Sequence, residues 1–490
     1  MDAVSTGASD AAPAVTPAPA RSTRKRSLLD RVAFGLFLVM VFFAPVPDGS
    51  VAFFWVEIWA AVAALVLLLA SYRYVGRGHV LLLAGLVLVL AVYGLVALLQ
   101  SISPGPSPLA IWAKASELLN IPLAPLSGSI VMSPLQFLGR PLLAALVLVA
   151  GIVLGCDSQR ANVLLRMVVY AACIFGLIGY AGKLLSVEGM TPFNQGGALT
   201  AFFINKNTTA TYLGSAFLAA LAMLMAPFIR RIREGYPLLG EGAGKALSGA
   251  FGIAIAAVLL LLLLPLTQSR AGLLLTVLIA AAAIGWRIRL QGRALGAAAI
   301  GGVVLLAVVL ASSGDVWRLR QARLNVETDG RWQAYALMWD AIAQRPALGY
   351  GLGSFEESFP QFRDANLETS GRFNIGHSTP IELAFEGGLP LALVVVGFVL
   401  LLCGVLVRGA IRRPSDPYIL AALLVGLLGV LHSSVDFSLQ ITGYLIVCLA
   451  VVGFGLGRAF LPREDFSRRR LRRVRRHPGA EGAEETGAVH

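Results

Sequence analysis

Apolar runs of about 17–25 residues recur along most of the chain, and no other feature limits its fold so tightly. A run of that length crosses a bilayer as a helix. In hydrocarbon every backbone N–H and C=O must be bonded internally, so lipid-facing open strands are excluded. Only 14% of the 490 residues are charged, against roughly 25% in ordinary soluble domains, and mean hydropathy is +0.76. The fold class is therefore all-α, a polytopic membrane helical bundle.

Twelve spans are expected, at roughly 31–47, 51–71, 79–99, 139–156, 161–182, 208–228, 248–267, 271–287, 294–312, 379–407, 418–434 and 441–460. Basic clusters in the short connections orient them. With the N-terminus inside and strict alternation, the loops at Arg73/Arg77, Arg160, Arg230/Arg231/Arg233, Arg287/Arg289/Arg293 and Arg408/Arg412/Arg413 all fall inside, with the tail "SRRRLRRVRRH". An odd number of spans would break that agreement, so both termini are placed in the cytoplasm. The net charge of +13 is then a topology signal and a surface for anionic membrane lipids, not a nucleic-acid footprint. The layout reads as a disordered basic N-terminus (1–30), helices 1–9 (31–312), a large outer loop (313–378), helices 10–12 (379–460) and a basic tail (461–490). Cys156, Cys173, Cys403 and Cys448 lie in or at the ends of apolar runs. They show no CxxC or Cys/His spacing, so neither a disulfide framework nor a metal site is expected.

Polar residues at membrane depth are functional candidates by default, and four constellations fall on the outer side. "FFINKNTTATYL" places Asn205, Lys206 and Asn207 before the sixth span, as amide donors with a cation or as a capped helix start with a snorkelling lysine. "LTQSRAGLLL" puts Arg270 in a tight outer turn, where it needs an anion. Its planar fork suits phosphate oxygens, and a structural ion pair is the other reading. The large loop places Trp332, Tyr335, Trp339 and Ile342 near one helical face, an amphipathic helix opened by Arg331 and ended by "PALGYGLG". Those glycines read as turn formers, and Arg363 with Asp364 as a surface pair. "NIGHSTPIELAFEGG" sets His377, Ser378 and Thr379 at the start of the tenth span, with Glu382 and Glu386 one turn apart on one face. A histidine there can take a proton at neutral pH, tuned by a carboxylate. "LHSSVDFSLQ" adds His432 and Asp436, either backing that histidine or making a plain helix–helix polar contact.

The set "INKNTTATYL", "TQSRAGLL", "GRWQAYALMWDAIAQRPALGYGLGSF", "GHSTPIELAFEGGLP" and "HSSVDFSL", in this order between about residues 202 and 440, resembles the O-antigen ligase/polymerase superfamily of bacterial membrane glycosyltransferases. The first half of the chain resembles it only in hydropathy. The resemblance implies a multi-pass inner-membrane enzyme that is metal-independent, inverting and free of cofactors. Its site faces the periplasm, and its donor is a glycan on undecaprenyl diphosphate. The acceptor is a lipid A–core sugar in ligases, or another lipid-linked glycan in O-antigen and exopolysaccharide polymerases. Carried over, His377 corresponds to the general base, Arg270 and Arg331 to the diphosphate-binding arginines, and Asn205, Lys206 and Asn207 to a signature near the substrate. Glu382, Glu386, Ser378, His432 and Asp436 would support them. Family members commonly have Asn after the histidine. Ser378 stands there in this chain, a departure that bears on the acceptor. A membrane transporter also fits a twelve-span chain with both ends inside, but carriers place polar residues at the midplane. Here the midspans are nearly bare of charge, and arginines and histidine collect at the outer edge.

Overall fold

The structure is a computed structural model that describes residues 27–72, 75–102, 117–120, 134–185, 194–195, 197–233, 243–289, 315–363, 367 and 373–461. The expected span at 294–312, the N-terminal segment before residue 27, most of the basic tail and Asp364 lie outside the described residues. The helices, numbered here in chain order, are α1 (Leu28–Phe43), α2 (Phe53–Leu69), α3 (Arg77–Ile102), α4 (Gly139–Gly155), α5 (Ser158–Leu185), α6 (Lys206–Arg233), α7 (Ala243–Leu263), α8 (Arg270–Arg289), α9 (Asp315–Gln344), α10 (Thr379–Arg412), α11 (Pro417–Ser433) and α12 (Thr442–Ala459). Among the described residues, eight helical segments, drawn from α3–α8, α10 and α12, are long and apolar enough to cross a membrane, and α2 and α11 are shorter apolar helices. A two-stranded ribbon, Asn194–Gln195 against Ala198–Leu199, is a minor departure from an all-helical bundle.

Glycine decides the tightest packing. α4 and α12 meet through Gly151 and Gly155 on one helix and Gly453 and Gly457 on the other. A Cβ on Gly155 would lie 2.3 Å from the Phe454 Cα, and one on Gly457 2.3 Å from the Ile152 carbonyl oxygen. Lipid tails give apolar helices no hydrophobic reason to associate, so close backbone approach supplies van der Waals contact instead. α6, α11 and α12 form the buried centre, and Ser215 and Tyr444 pair their hydroxyls inside it at 2.9 Å. α3 and α10 lie outside, with Leu81 and Leu393 about seven-tenths exposed, as a lipid-facing flank requires.

Two buried ion pairs tie the end of the bundle away from His377. Arg160 on α5 meets Asp30 on α1 at 2.6 Å, and Arg458 on α12 meets Asp416, which caps α11, also at 2.6 Å. Asp30 also accepts from the Ser71 backbone N–H, fastening the end of α2.

α10 bends at Gly388, whose φ of 80° and ψ of 165° interrupt the helix ahead of Pro390. The chain after α9 occupies the bend: Leu389 N–H donates to the Pro346 carbonyl, and a Cβ on Gly388 would lie 2.3 Å from the Ala347 carbonyl oxygen. α9 itself corrects one expectation. It begins at Asp315, so Arg331 lies within the helix rather than opening it. Its buried face is Ala334, Met338, Ala341 and Ile342, whereas Trp332 and Trp339 are 66% and 50% exposed. Small alanines let α9 settle against α10. The tryptophans, apolar with a polar edge, stay at the rim.

Candidate active site

The backbone around His377 is held on several sides. Glu382 Oε2 accepts from the Gly376 N–H at 2.7 Å and from the Gln440 amide at 3.1 Å. The Tyr335 hydroxyl donates to the His377 carbonyl at 2.7 Å. His377 has a φ of 53°, in the left-handed region. That conformation is unfavourable for a residue with a side chain and persists only where the surroundings fix it. The ring lies between Phe437 (5.2 Å) and Phe373 (6.0 Å), with 26% of the side chain exposed.

His377 Nδ1 lies 4.0 Å from Asp436 Oδ1. That is too long for a hydrogen bond, in a geometry that catalytic pairs commonly tighten once substrate binds. His377 Nδ1 and Asp436 Oδ2 are both buried without a hydrogen-bond partner among the described residues. Burial, reinforced by the Arg331 charge, pushes the His377 imidazole down to about 4, so it is neutral and able to accept a proton at pH 7. Burial pushes the Asp436 carboxyl up to about 6, while Arg331, the Phe437 N–H, Asn207 and Lys206 pull the other way. Arg331 thus acts on both partners from α9, and the Asn205–Asn207 stretch reaches the site through its last two residues.

α6 starts here because Asn205 caps it, its Oδ1 accepting from the Asn207 N–H at 2.6 Å. His432, at the end of α11, is fully buried. Its Nδ1 bonds the Thr211 hydroxyl, which also bonds the Ser438 hydroxyl at 2.8 Å. α8 begins at Arg270, an exposed residue. Two residues on, a Cβ at Gly272 would lie 2.5 Å from Ala210 Cβ and 3.5 Å from His432 Cε1. The starts of α6 and α8 therefore abut beside His432, and α10 starts at Thr379, next to His377. Three helix N-termini, each with partial positive charge, gather at one end of the bundle with Lys206, Arg270 and Arg331. Thr208 and Ser378 add buried hydroxyls without described partners.

The two glutamates do not touch the imidazole. Glu382 braces the main chain ahead of it. Glu386 Oε1 accepts from the Phe355 N–H at 3.0 Å, and the Glu386 carbonyl accepts from the Gly351 N–H (3.0 Å) and the Gln100 amide (2.8 Å). Gln100 also accepts from the Leu352 N–H at 2.9 Å. Glu386 and Gln100 thus fasten the glycine-rich segment after α9, in which Gly349, Gly351 and Gly353 all have positive φ, as turn formers do. The carboxylate that faces the ring is Asp436.

Sequence reasoning missed Tyr335 as a brace, along with Gln440, Thr211, Gln100 and Arg140. Arg140 on α4 lies within electrostatic reach of both Glu382 and Glu386. Gln100 and Arg140 carried the one usable signal, a lone polar residue at the edge of an apolar run.

A neutral imidazole backed by a carboxylate, under a cationic rim with three helix N-termini, can take a proton from a hydroxyl beside a bound anion. No curated protein matches the chain. Residues 255–396 match the model of the O-antigen ligase family, a stretch that includes Arg270, Arg331, His377, Glu382 and Glu386 and ends before His432 and Asp436. The chain therefore carries an O-antigen ligase domain over residues 255–396, set among membrane-length helices.

Proposed function

We propose that the chain transfers a glycan from undecaprenyl diphosphate to an acceptor hydroxyl at the periplasmic face of the inner membrane, as an O-antigen ligase acting on a lipid A–core sugar. The observation that carries this reading is the meeting, at one end of the bundle, of His377 and Arg331 from the stretch that matches the O-antigen ligase family with Asp436 from beyond it. With Nδ1 protonated toward Asp436, His377 Nε2 accepts the acceptor's proton. The acceptor oxygen bonds the anomeric carbon, and the carbon–oxygen bond to phosphate breaks. Its electron pair leaves on undecaprenyl diphosphate, with inversion and without a metal.

Charge grows on the diphosphate as that bond breaks, so Arg270, Arg331, Lys206 and the three helix N-termini act mostly on the transition state. Asp436 stabilises the imidazolium that forms, and a base of this kind contributes about 10²–10⁴-fold. The periplasmic placement rests on the basic loops. Ser378 is fully buried and shorter than the family's usual asparagine. This favours keeping a lipid-linked repeat unit, the polymerase reaction, as the second acceptor reading.

The test is purified protein in vesicles with a lipid-linked glycan donor and a lipid A–core acceptor. Release of undecaprenyl diphosphate with glycan on the acceptor supports the proposal, and Arg331→Gln and Arg270→Gln lower kcat by about 10²–10³. Glycan entering the lumen without transfer overturns it in favour of transport. In a deletion strain, long unattached chains indicate a lost ligase, and single repeat units on the core indicate a lost polymerase.

A further inference from the structure

Two tryptophans on α9, Trp332 and Trp339, stay exposed while the alanines of the same helix pack against α10. An indole left in the open forgoes one of the largest burial gains a side chain offers. Going round α9 away from its buried face, Arg331 and Tyr335 come first. Trp339 and Trp332 follow, and the exposed Asp340 and Gln333 come last. The first two belong to the site, since Arg331 acts on His377 and Asp436, and the Tyr335 hydroxyl donates to the His377 carbonyl at 2.7 Å. The Trp332 ring stands edge-to-face against the Tyr335 ring, with centroids 5.7 Å apart. One aromatic ring therefore separates Trp332 from the His377 backbone, and the indoles continue the site outward.

Trp332 and Trp339 are nearly in line, about 10 Å apart along the helix axis, a distance that a short oligosaccharide covers. Ala336 lies between them and is small enough to leave both rings accessible. The stripe thus offers flat apolar faces bordered by a carboxylate and an amide. A pyranose ring has the matching two characters. Its weakly positive C–H groups pack on the electron-rich face of an indole, and its hydroxyls bond carboxylates and amides. A tryptophan stripe sunk among lipid headgroups would instead be bordered by cations, because phosphates repel a carboxylate such as Asp340.

We propose that Trp332 and Trp339 hold the donor glycan, each stacking on a sugar beyond the one joined to the diphosphate. This rests on the transfer reading above and adds where the rest of the donor lies. In that reading Arg331 meets the diphosphate, and Trp332 is its neighbour in the chain. The sugars that start at the diphosphate therefore reach the indoles first. The acceptor hydroxyl attacks the anomeric carbon from the face opposite the leaving diphosphate, on the side away from Arg331. Held along α9, a long donor gains contacts that a bare diphosphate lacks.

The test measures binding to the detergent-purified full-length chain by microscale thermophoresis, with three probes. These are lipid-linked glycan extracted from cells lacking this chain, undecaprenyl diphosphate alone, and lipid A–core. The wild-type chain binds the lipid-linked glycan more tightly than undecaprenyl diphosphate. Trp332→Ala and Trp339→Ala each raise the Kd for the lipid-linked glycan about ten-fold, the loss of one stacked ring. Both leave the other two probes within about two-fold, and Trp332→Tyr, which keeps a ring, stays within about three-fold for the glycan. Unaltered glycan binding in either alanine variant overturns the proposal and leaves the transfer reading in place. So does a wild-type chain that binds undecaprenyl diphosphate and its glycan alike, or a tyrosine variant as weak as the alanine one. Equal weakening for undecaprenyl diphosphate and its glycan overturns it in favour of a membrane anchor. Weakening confined to lipid A–core overturns it in favour of an acceptor site. A wild-type chain that binds neither undecaprenyl lipid overturns the transfer reading, and the proposal falls with it.

Discussion

Replacing Glu382 with alanine removes the single oxygen that accepts from both the Gly376 N–H and the Gln440 amide. Both donors are then left in a largely buried place, and each orphaned group costs about 1–3 kcal/mol. The Tyr335 hydroxyl still holds the His377 carbonyl, so the segment loses one brace and not all of them. His377 can then relax from its left-handed backbone conformation, a further pull of about 1–2 kcal/mol away from the working position. If about 1.4–2.8 kcal/mol of this falls on the segment itself, the correctly placed imidazole becomes 10–100-fold rarer. The expected result in a purified transfer assay is a kcat about 10–100-fold lower with KM little changed. The melting temperature in detergent drops as well. Glu382→Gln, which keeps an oxygen for Gly376, restores most of the rate. Wild-type kcat in Glu382→Ala would refute the reasoning. A glutamine variant as slow as the alanine one would also refute it, since that outcome assigns the effect to charge.

Asp436, pushed up to about 6, is a carboxylate above that pH and loses its charge below it, while His377 stays neutral down to about 4. An acid limb of kcat/KM near pH 6, from protonation of Asp436, is therefore the expected result. Asp436→Asn lowers the plateau and removes that limb, leaving only a fall at pH 4 or below, as a pH profile of the variant would show. Gly388→Ala sets a Cβ against the Ala347 carbonyl oxygen at a φ of 80°. It destabilises by more than about 1 kcal/mol, read as a lower melting temperature. Arg160→Ala strands Asp30 in the interior. It costs about 3–5 kcal/mol in the same measurement, with little effect on KM in whatever protein remains folded.

Hydropathy and length placed α1 through α8 and α10 through α12 to within a few residues, because a bilayer tolerates little besides apolar helices. The polar constellations were legible too, since a charge or amide at the end of an apolar run stands out. Their pairing was not. The spacing of Glu382 and Glu386 showed a shared face and suggested that they serve the histidine beside them. In fact one binds the backbone of Gly376 and the other that of Phe355, and Asp436, 59 positions from His377, faces the ring. Periodicity tells which residues share a face and not which neighbour that face meets. The same limit explains α9. Its aromatics lie together on the helix as expected, yet the alanines make the contact, because close approach favours small side chains over large ones. Gln100 and Arg140 show the limit from the other side, being visible as outliers while their partners lie far along the chain.

The central claim is that His377 is the base for glycan transfer. The most direct test is His377→Ala in a strain lacking the native chain, with surface glycan and membrane protein level read together. Loss of transferred glycan at an unchanged protein level is the predicted result. Normal surface glycan in that variant would contradict the account.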